Sequence, residues 1–255
     1  AKVSLFGHGS VDLMYGGTGS GSVDTSKAPN FKQALESQGI SVNETLWNLY
    51  SSDSMMSKYS RMTPASISDT LEANTQYAVN EAPWSALSSA ESSFAEYGDA
   101  AIVVVSRVGG EGGAYYPGEE GLAEGVNTVN GNILSLSDEE MAMIEEAKAN
   151  FDKVIVLVNA ANPMEISNLE EDPDIDAILW VGYPGAYGFY GVADVLNGTV
   201  APSAHLGDTF VKNGALAPAM QNFGNIPWAN ASDFAEGTSV NSYLIENEGI
   251  YTGYR

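Results

Sequence analysis

The chain has 255 residues, 44% of them apolar, enough to bury the core of one large domain. No apolar run approaches the roughly 20 residues that cross a bilayer. Ten Lys and Arg against 33 Asp and Glu give a net charge of −23, which leaves no basic patch to neutralise phosphates and argues against nucleic acid or an anionic membrane surface as partner. A neutral ligand such as a sugar meets no such repulsion. The absence of cysteine excludes disulfides, thiolate zinc sites and cysteine nucleophiles, and two histidines give no basis for a transition-metal centre. Asn43, Asn197 and Asn230 begin glycosylation triplets that matter only in a eukaryotic secretory pathway, so localisation stays open. The first residues, Ala1-Lys2-Val3, pass straight into a strand pattern with neither an initiator Met nor a signal peptide, which reads as a piece of something longer.

In chain order, Lys2 to Phe6 are predicted as a strand ending at Gly7. A small-residue loop follows, from His8 to about Ser26, containing Gly16-Gly17-Thr18-Gly19-Ser20-Gly21-Ser22. A helix is predicted from about Pro29 to Gln38, with Phe31, Ala34 and Leu35 on one face and Gly39 ending it. Another begins near Asn43 and carries Leu46 and Tyr50 on one side. From Ser51 to Tyr97 serines dominate and the period is mixed, which predicts helical pieces joined by irregular chain. Ala101 to Val105 form a run of β-branched apolar residues suited to a strand buried on both faces.

Gly118 to Asn132 is polar and glycine-rich, a predicted loop over the crevice, and Ser137 with Glu140 forms a capping box. The helix opened by that box places Met141, Ile144, Ala147 and Phe151 on one face. Val154 to Val158 is the next predicted strand. Asn162-Pro163-Met164-Glu165 reads as a further helix start, with Asn as N-cap, Pro at the first position and Glu at the third. Ile175 to Val181 is a strand ending in Gly182-Tyr183-Pro184-Gly185, and Phe189, Val192, Ala193 and Leu196 follow at helical spacing up to Gly198. The alternation predicts an α/β fold: a mostly parallel sheet covered by helices on both faces, a three-layer sandwich forming one domain over residues 1–255.

The stretch Ser106-Arg107-Val108-Gly109-Gly110-Glu111-Gly112-Gly113 ends the Ala101 strand, at the side of such a sheet where ligands bind. Glu111 is its only acid, held between two pairs of glycines that let backbone approach a ligand closely. Spacing alone leaves two readings, a solvated loop glutamate or a carboxyl placed for proton transfer. Arg107 either orients Glu111 and its loop or makes a structural ion pair at the strand end. His8 either faces the crevice or is a loop histidine with satisfied hydrogen bonds. Of Tyr183, Tyr187, Phe189 and Tyr190, most belong to the core and one ring is expected to reach the crevice.

Taken together, these residues resemble the C-terminal α/β-sandwich domain of glycoside hydrolase family 3, which includes many β-glucosidases. The resemblance rests on Lys2-Val3-Ser4-Leu5-Phe6-Gly7, the Gly16–Gly21 run, Asn80-Glu81-Ala82-Pro83 and Ser106 to Gly112. It continues through Val158-Asn159, Asn162 to Glu165, Asp176 to Trp180, Pro184-Gly185 and Glu248 to Arg255. It implies that Glu111 is the general acid/base and that Ser20 with Gly21 contacts the sugar, Ser22 lying two residues away as the other serine of that loop. Arg107 joins them as a substrate-binding candidate.

The resemblance also implies a retaining exo-β-glycosidase acting on a β-glucoside or oligosaccharide, with no cofactor and no metal. Retaining enzymes need a second carboxylate. In similar enzymes it is an aspartate of a Ser-Asp-Trp motif on a separate (β/α)₈ barrel, and no Ser-Asp-Trp occurs here. The expected partner is therefore a barrel domain of the same parent protein, and this chain alone is expected to be inactive. Two turns depart from the family pattern, Pro184-Gly185-Ala186-Tyr187-Gly188 and Pro202-Ser203-Ala204-His205-Leu206-Gly207. Two other classes stay open on the residues alone, a non-catalytic carbohydrate-binding module and a nucleotide-binding α/β domain. The latter lacks both a Gly-x-Gly-x-x-Gly opening a helix and any Gly-Lys-Ser/Thr.

Overall fold

The computed structural model describes residues 1–59, 80–109 and 125–221, with 226–227, 229–230, 233, 242–243 and 249–251 beyond them. Five strands form one sheet: β1 (Lys2–Phe6), β2 (Ser41–Val42), β3 (Ala100–Ser106), β4 (Val154–Asn159) and β5 (Ala177–Trp180). Their order is β2-β1-β3-β4-β5 and every pairing is parallel. The predicted parallel α/β architecture is thus observed.

Register explains the two cores. Phe6, Val103, Val156 and Ile178 stand opposite one another across four strands and point to one face. Leu5, Ile102 and Ile155 form the matching row on the other. The first face is covered by α2 (Glu44–Tyr50), α3 (Asp53–Tyr59) and the helix Asp138–Asn150, through Leu46, Tyr50, Met143, Ile144 and Ala147. The second is covered by α1 (Phe31–Ser37) and the helix Gly188–Leu196, through Phe31, Ala34, Leu35, Phe189 and Val192. Side chains alternate along each strand, so a central strand buried on both faces must be apolar at every position.

Helix starts follow their caps. Asn30 and Gln33 make a reciprocal capping box on α1, Asn43 accepts from the Thr45 and Leu46 amides, and Ser137 with Glu140 closes the box predicted for the helix Asp138–Asn150. The helix predicted at Asn162 does not form there; the helical turn is Ser167–Glu170, with Ile166 before it. Glu165 is withdrawn from the role of a third-position cap. Its buried carboxylate accepts from the Asn130 and Asn132 side-chain amides and from the Gly214 amide at 2.6 Å, while its own amide bonds Leu134 O. Three partners distant in sequence outcompete one local cap.

Between Ser51 and Tyr97 the described chain is α3 followed by short 3₁₀ turns at Trp84–Ala86 and Ser88–Ser93, in keeping with the helical pieces expected there. The end of the expected loop at 118–132 is seen from residue 125 onward, as turns leading to a bridge between Thr128 and Ser137. Past Pro202 the described chain has only short elements, a helical turn at Pro218–Gln221 and an antiparallel pair of Ile226–Pro227 with Ser242–Tyr243.

Candidate active site

In this strand order the chain leaves β1 toward one edge of the sheet and returns past it to β3. The crevice outside the carboxyl ends of the strands opens at that reversal. The loops after β1, β3, β4 and β5 converge there on a groove of about 630 Å³, with Tyr15, Thr18, Gly21, Gly109, Asn162 and Tyr183 among its lining residues.

Backbone and amide bonds lock the loops together. The Thr18 amide donates to Gly109 O at 3.1 Å and the Gly185 amide to Tyr15 O at 2.8 Å. Asn159, fully buried at the end of β4, accepts from the Met14 amide at 2.7 Å and donates to Met14 O and Gly182 O at 2.9 and 2.7 Å. One side chain thus ties the loops after β1 and β5 to β4. Gly109 is required by close approach: a Cβ there would lie 2.9 Å from the Tyr183 hydroxyl and 3.0 Å from Asn162 Oδ1. Among the described residues no charged side chain lines the groove.

The residues singled out from sequence fall in different places. Gly21 lines the groove, and Ser20 lies exposed on the 3₁₀ turn Gly19–Gly21 at its side. Glu111, and with it the stretch 110–124, lies outside the described residues.

Arg107 is 2% exposed, and its guanidinium makes a bidentate pair with Glu140 at 2.8 and 2.9 Å. It also donates to the backbone oxygens of Ser106, Ile133 and Ser135. An arginine has five N–H donors in a fixed fork, and these five bonds use all of them. The substrate-binding role expected for Arg107 therefore needs correction: no donor is left for a sugar hydroxyl, and the alternative of an ion pair at the strand end is what forms. Glu140 serves two elements at once, since its Oε2 also accepts from the Ser137 amide at 2.9 Å. Arg107 O, at the base of the loop, accepts from the Tyr183 hydroxyl at 2.7 Å.

Of the four aromatic residues considered, Tyr183 reaches the groove, Phe189 is core, and Tyr187 and Tyr190 are exposed. His8 satisfies neither of its expected roles. It is buried, it is not among the groove's described lining residues, its Nε2 is 3.6 Å from Asp12 Oδ2, and neither ring nitrogen makes a hydrogen bond to a described residue. Beside it, Glu81 is buried and accepts from the His8 amide at 2.7 Å and the Ala82 amide at 2.9 Å. Burial pushes its carboxyl up to about 8 against the pull of those two amides, and the nearby Glu140 and Glu139 charges act with the burial. Among the described residues no cluster of three His, Asp or Glu is placed to hold a metal.

Asn159 and Asn162 were not selected from sequence as site residues. Their only local signal is position just after a predicted buried strand, where side chains leave the core and reach the crevice.

An all-parallel sheet with helices on both faces and a groove at its strand ends has the architecture of an open α/β domain, in which ligands bind at that position. The model of the glycosyl hydrolase family 3 C-terminal domain matches residues 1–254, and the chain belongs to that family. It is 26% identical to β-glucosidase A of Butyrivibrio fibrisolvens over 270 aligned positions, covering 100% of this chain and 29% of that protein. It is 27% identical to a β-glucosidase of Ruminococcus albus, covering 100% of this chain and 23% of that protein. Among solved structures, β-glucosidase 3B of Thermotoga neapolitana in complex with glycerol superimposes with a TM-score of 0.67 at 26% identity, covering 100% of this chain and 31% of that one. The chain thus spans about a quarter to a third of the length of these three proteins.

Proposed function

We propose that this domain supplies the acid/base half of a retaining β-glycosidase site, with terminal β-glucosides as substrates and the nucleophile supplied by a barrel domain of the same parent protein. The observation that carries this reading is the groove at the strand ends, uncharged among the described residues, with Gly109 in its lining. Glu111 follows Gly109 by two residues, a span of at most about 7 Å of chain. A carboxyl brought to a groove whose described lining is neutral suits a sugar, which needs hydroxyl partners and one proton donor. The named β-glucosidase relatives support the same substrate class.

In this mechanism Glu111 protonates the glycosidic oxygen while the partner carboxylate attacks the anomeric carbon. The resulting carboxylate then deprotonates the water that releases the sugar. Holding the proton near neutrality requires a raised pKa, which an apolar surround and a neighbouring carboxylate provide. Ser20 and Gly21 bring the glycine-rich turn against the sugar. Arg107 acts behind them, through the bonds that anchor the start of the loop. A nucleotide reading finds no support among the described residues of the groove, none of which is Lys or Arg.

The test is hydrolysis of an aryl β-glucoside by this chain alone and by the full-length enzyme that carries it. The chain alone is expected to be inactive, and Glu111→Gln is expected to lower turnover of the full-length enzyme by about 10²–10⁴-fold. Turnover by the isolated chain, or a full-length Glu111→Gln variant as active as the wild type, contradicts the proposal.

A further inference from the structure

We propose that Asn162 is a specificity-determining residue of this domain: its carboxamide hydrogen-bonds one hydroxyl of the sugar in the groove. The inference rests on the reading of the groove as a sugar site.

Asn162 would be a helix cap by its sequence context, yet no helix begins there, so its side chain is released from that duty. It stands half-buried in the groove wall just beyond the carboxyl end of β4. Its carboxamide makes no hydrogen bond to a described residue.

The neighbouring polar groups are committed. Asn159 is bonded to the loops after β1 and β5, the Tyr183 hydroxyl to Arg107 O, and Asn130 and Asn132 to Glu165. Thr18 Oγ1, also in the lining, is enclosed without a partner among the described residues, and an unpaired polar group in a folded interior needs an explanation. Asn162 is only half-buried, so its carboxamide stands open to the groove, where a ligand can pair with it.

The geometry around Asn162 is fixed from two sides. Pro163 restricts its backbone to extended conformations. On the other side Gly109 comes so close that a Cβ there would meet Asn162 Oδ1 at 3.0 Å. A carboxamide offers both a donor and an acceptor, the pair a hydroxyl can use, and among the described residues no charged side chain in the groove competes for it. A site that bonds a substrate hydroxyl discriminates strongly against the analogue lacking it, because its own polar group is then left unpaired.

The test uses the full-length enzyme, with Asn162→Ala compared against wild type on an aryl β-glucoside and on its monodeoxy analogues. A neutral hydrogen bond predicts about a tenfold fall in kcat/KM on the parent glucoside, and no fall on one particular deoxy analogue, whose missing hydroxyl is the one Asn162 bonds. An equal fall on every analogue, the mark of a displaced loop, overturns the inference, and so does no fall at all.

Glucose affinity by calorimetry gives a readout that needs no turnover, and the alanine variant is expected to bind about tenfold more weakly. If affinity depends on Asn162 but turnover ignores Glu111→Gln, the proposed catalytic role fails and this inference stands. If Glu111→Gln abolishes turnover while Asn162→Ala changes neither affinity nor rate, the inference fails and the catalytic role stands.

Discussion

Replacing Arg107 by Met removes the charge while keeping much of the side chain's volume. It strands the Glu140 carboxylate, whose side chain is 4% exposed, and leaves the Ser106, Ile133 and Ser135 oxygens without their guanidinium partner. Breaking a buried pair by removing one member costs about 3–5 kcal/mol. With a urea m-value near 3 kcal/mol/M, at the upper end for small proteins, the unfolding midpoint falls by about 1 to 1.7 M. In the double variant Arg107→Met with Glu140→Gln, no unpaired charge is left and the amide oxygen can still accept from the Ser137 amide. Its loss is expected to be smaller than the sum of the two single losses by about 1–3 kcal/mol. The assay is equilibrium urea unfolding followed by circular dichroism at pH 7, with glucose affinity measured below the transition. A Met variant that unfolds within about 1 kcal/mol of wild type but binds glucose tenfold more weakly would return Arg107 to the sugar and refute the assignment.

Two further outcomes concern the scaffold beneath the groove. Gly7 sits at φ +91°, and a Cβ there would lie 2.3 Å from Val104 O, so Gly7→Ala must move backbone between β1 and β3. It is expected to cost more than about 2 kcal/mol, a fall in Tm of roughly 4 to 8 °C by calorimetry, and a Tm within 1–2 °C of wild type would contradict the geometry. Glu81 should make stability fall as pH rises. Its folded pKa, about 8, lies above its ordinary value of 4.5, so the native state gains from the protonated carboxyl fully below 4.5 and loses that gain as pH passes 8. Over that window wild type should lose on the order of 5 kcal/mol more than Glu81→Gln does. Parallel stability profiles for the two proteins from pH 5 to 8.5 would show that the carboxyl ionises freely in the fold.

The sheet was legible because its signals are local. Unbroken apolar runs such as Ala101 to Val105 can only be strands buried on both faces, and caps such as Asn43 or Ser137 with Glu140 need only neighbours in sequence. Of the candidate site, Gly21 and Gly109 line one groove where the strand order reverses, and both come from glycine-rich loops that local composition marks. What escaped depends on distant partners. Arg107 meets Glu140 across 33 positions, Glu165 leaves a plausible cap for Gly214 across 49, and Asn159 bonds Met14 across 145. No periodicity encodes such pairings. His8 escaped for another reason: a buried ring whose nitrogens have no described hydrogen-bond partner is a consequence of packing, and a loop sequence does not announce it.

The central claim is that Glu111 donates the proton to the departing oxygen, and the dependence on leaving group tests it most directly. Full-length wild type and Glu111→Gln are compared on β-glucosides whose aglycones range from a dinitrophenol, which leaves without protonation, to a simple alcohol, which does not. The glycosylation rate of the variant should approach wild type on the first and fall by about 10²–10⁴-fold on the second. A loss of the same size on both substrates would contradict the account, because it would assign Glu111 to binding or folding rather than to proton transfer.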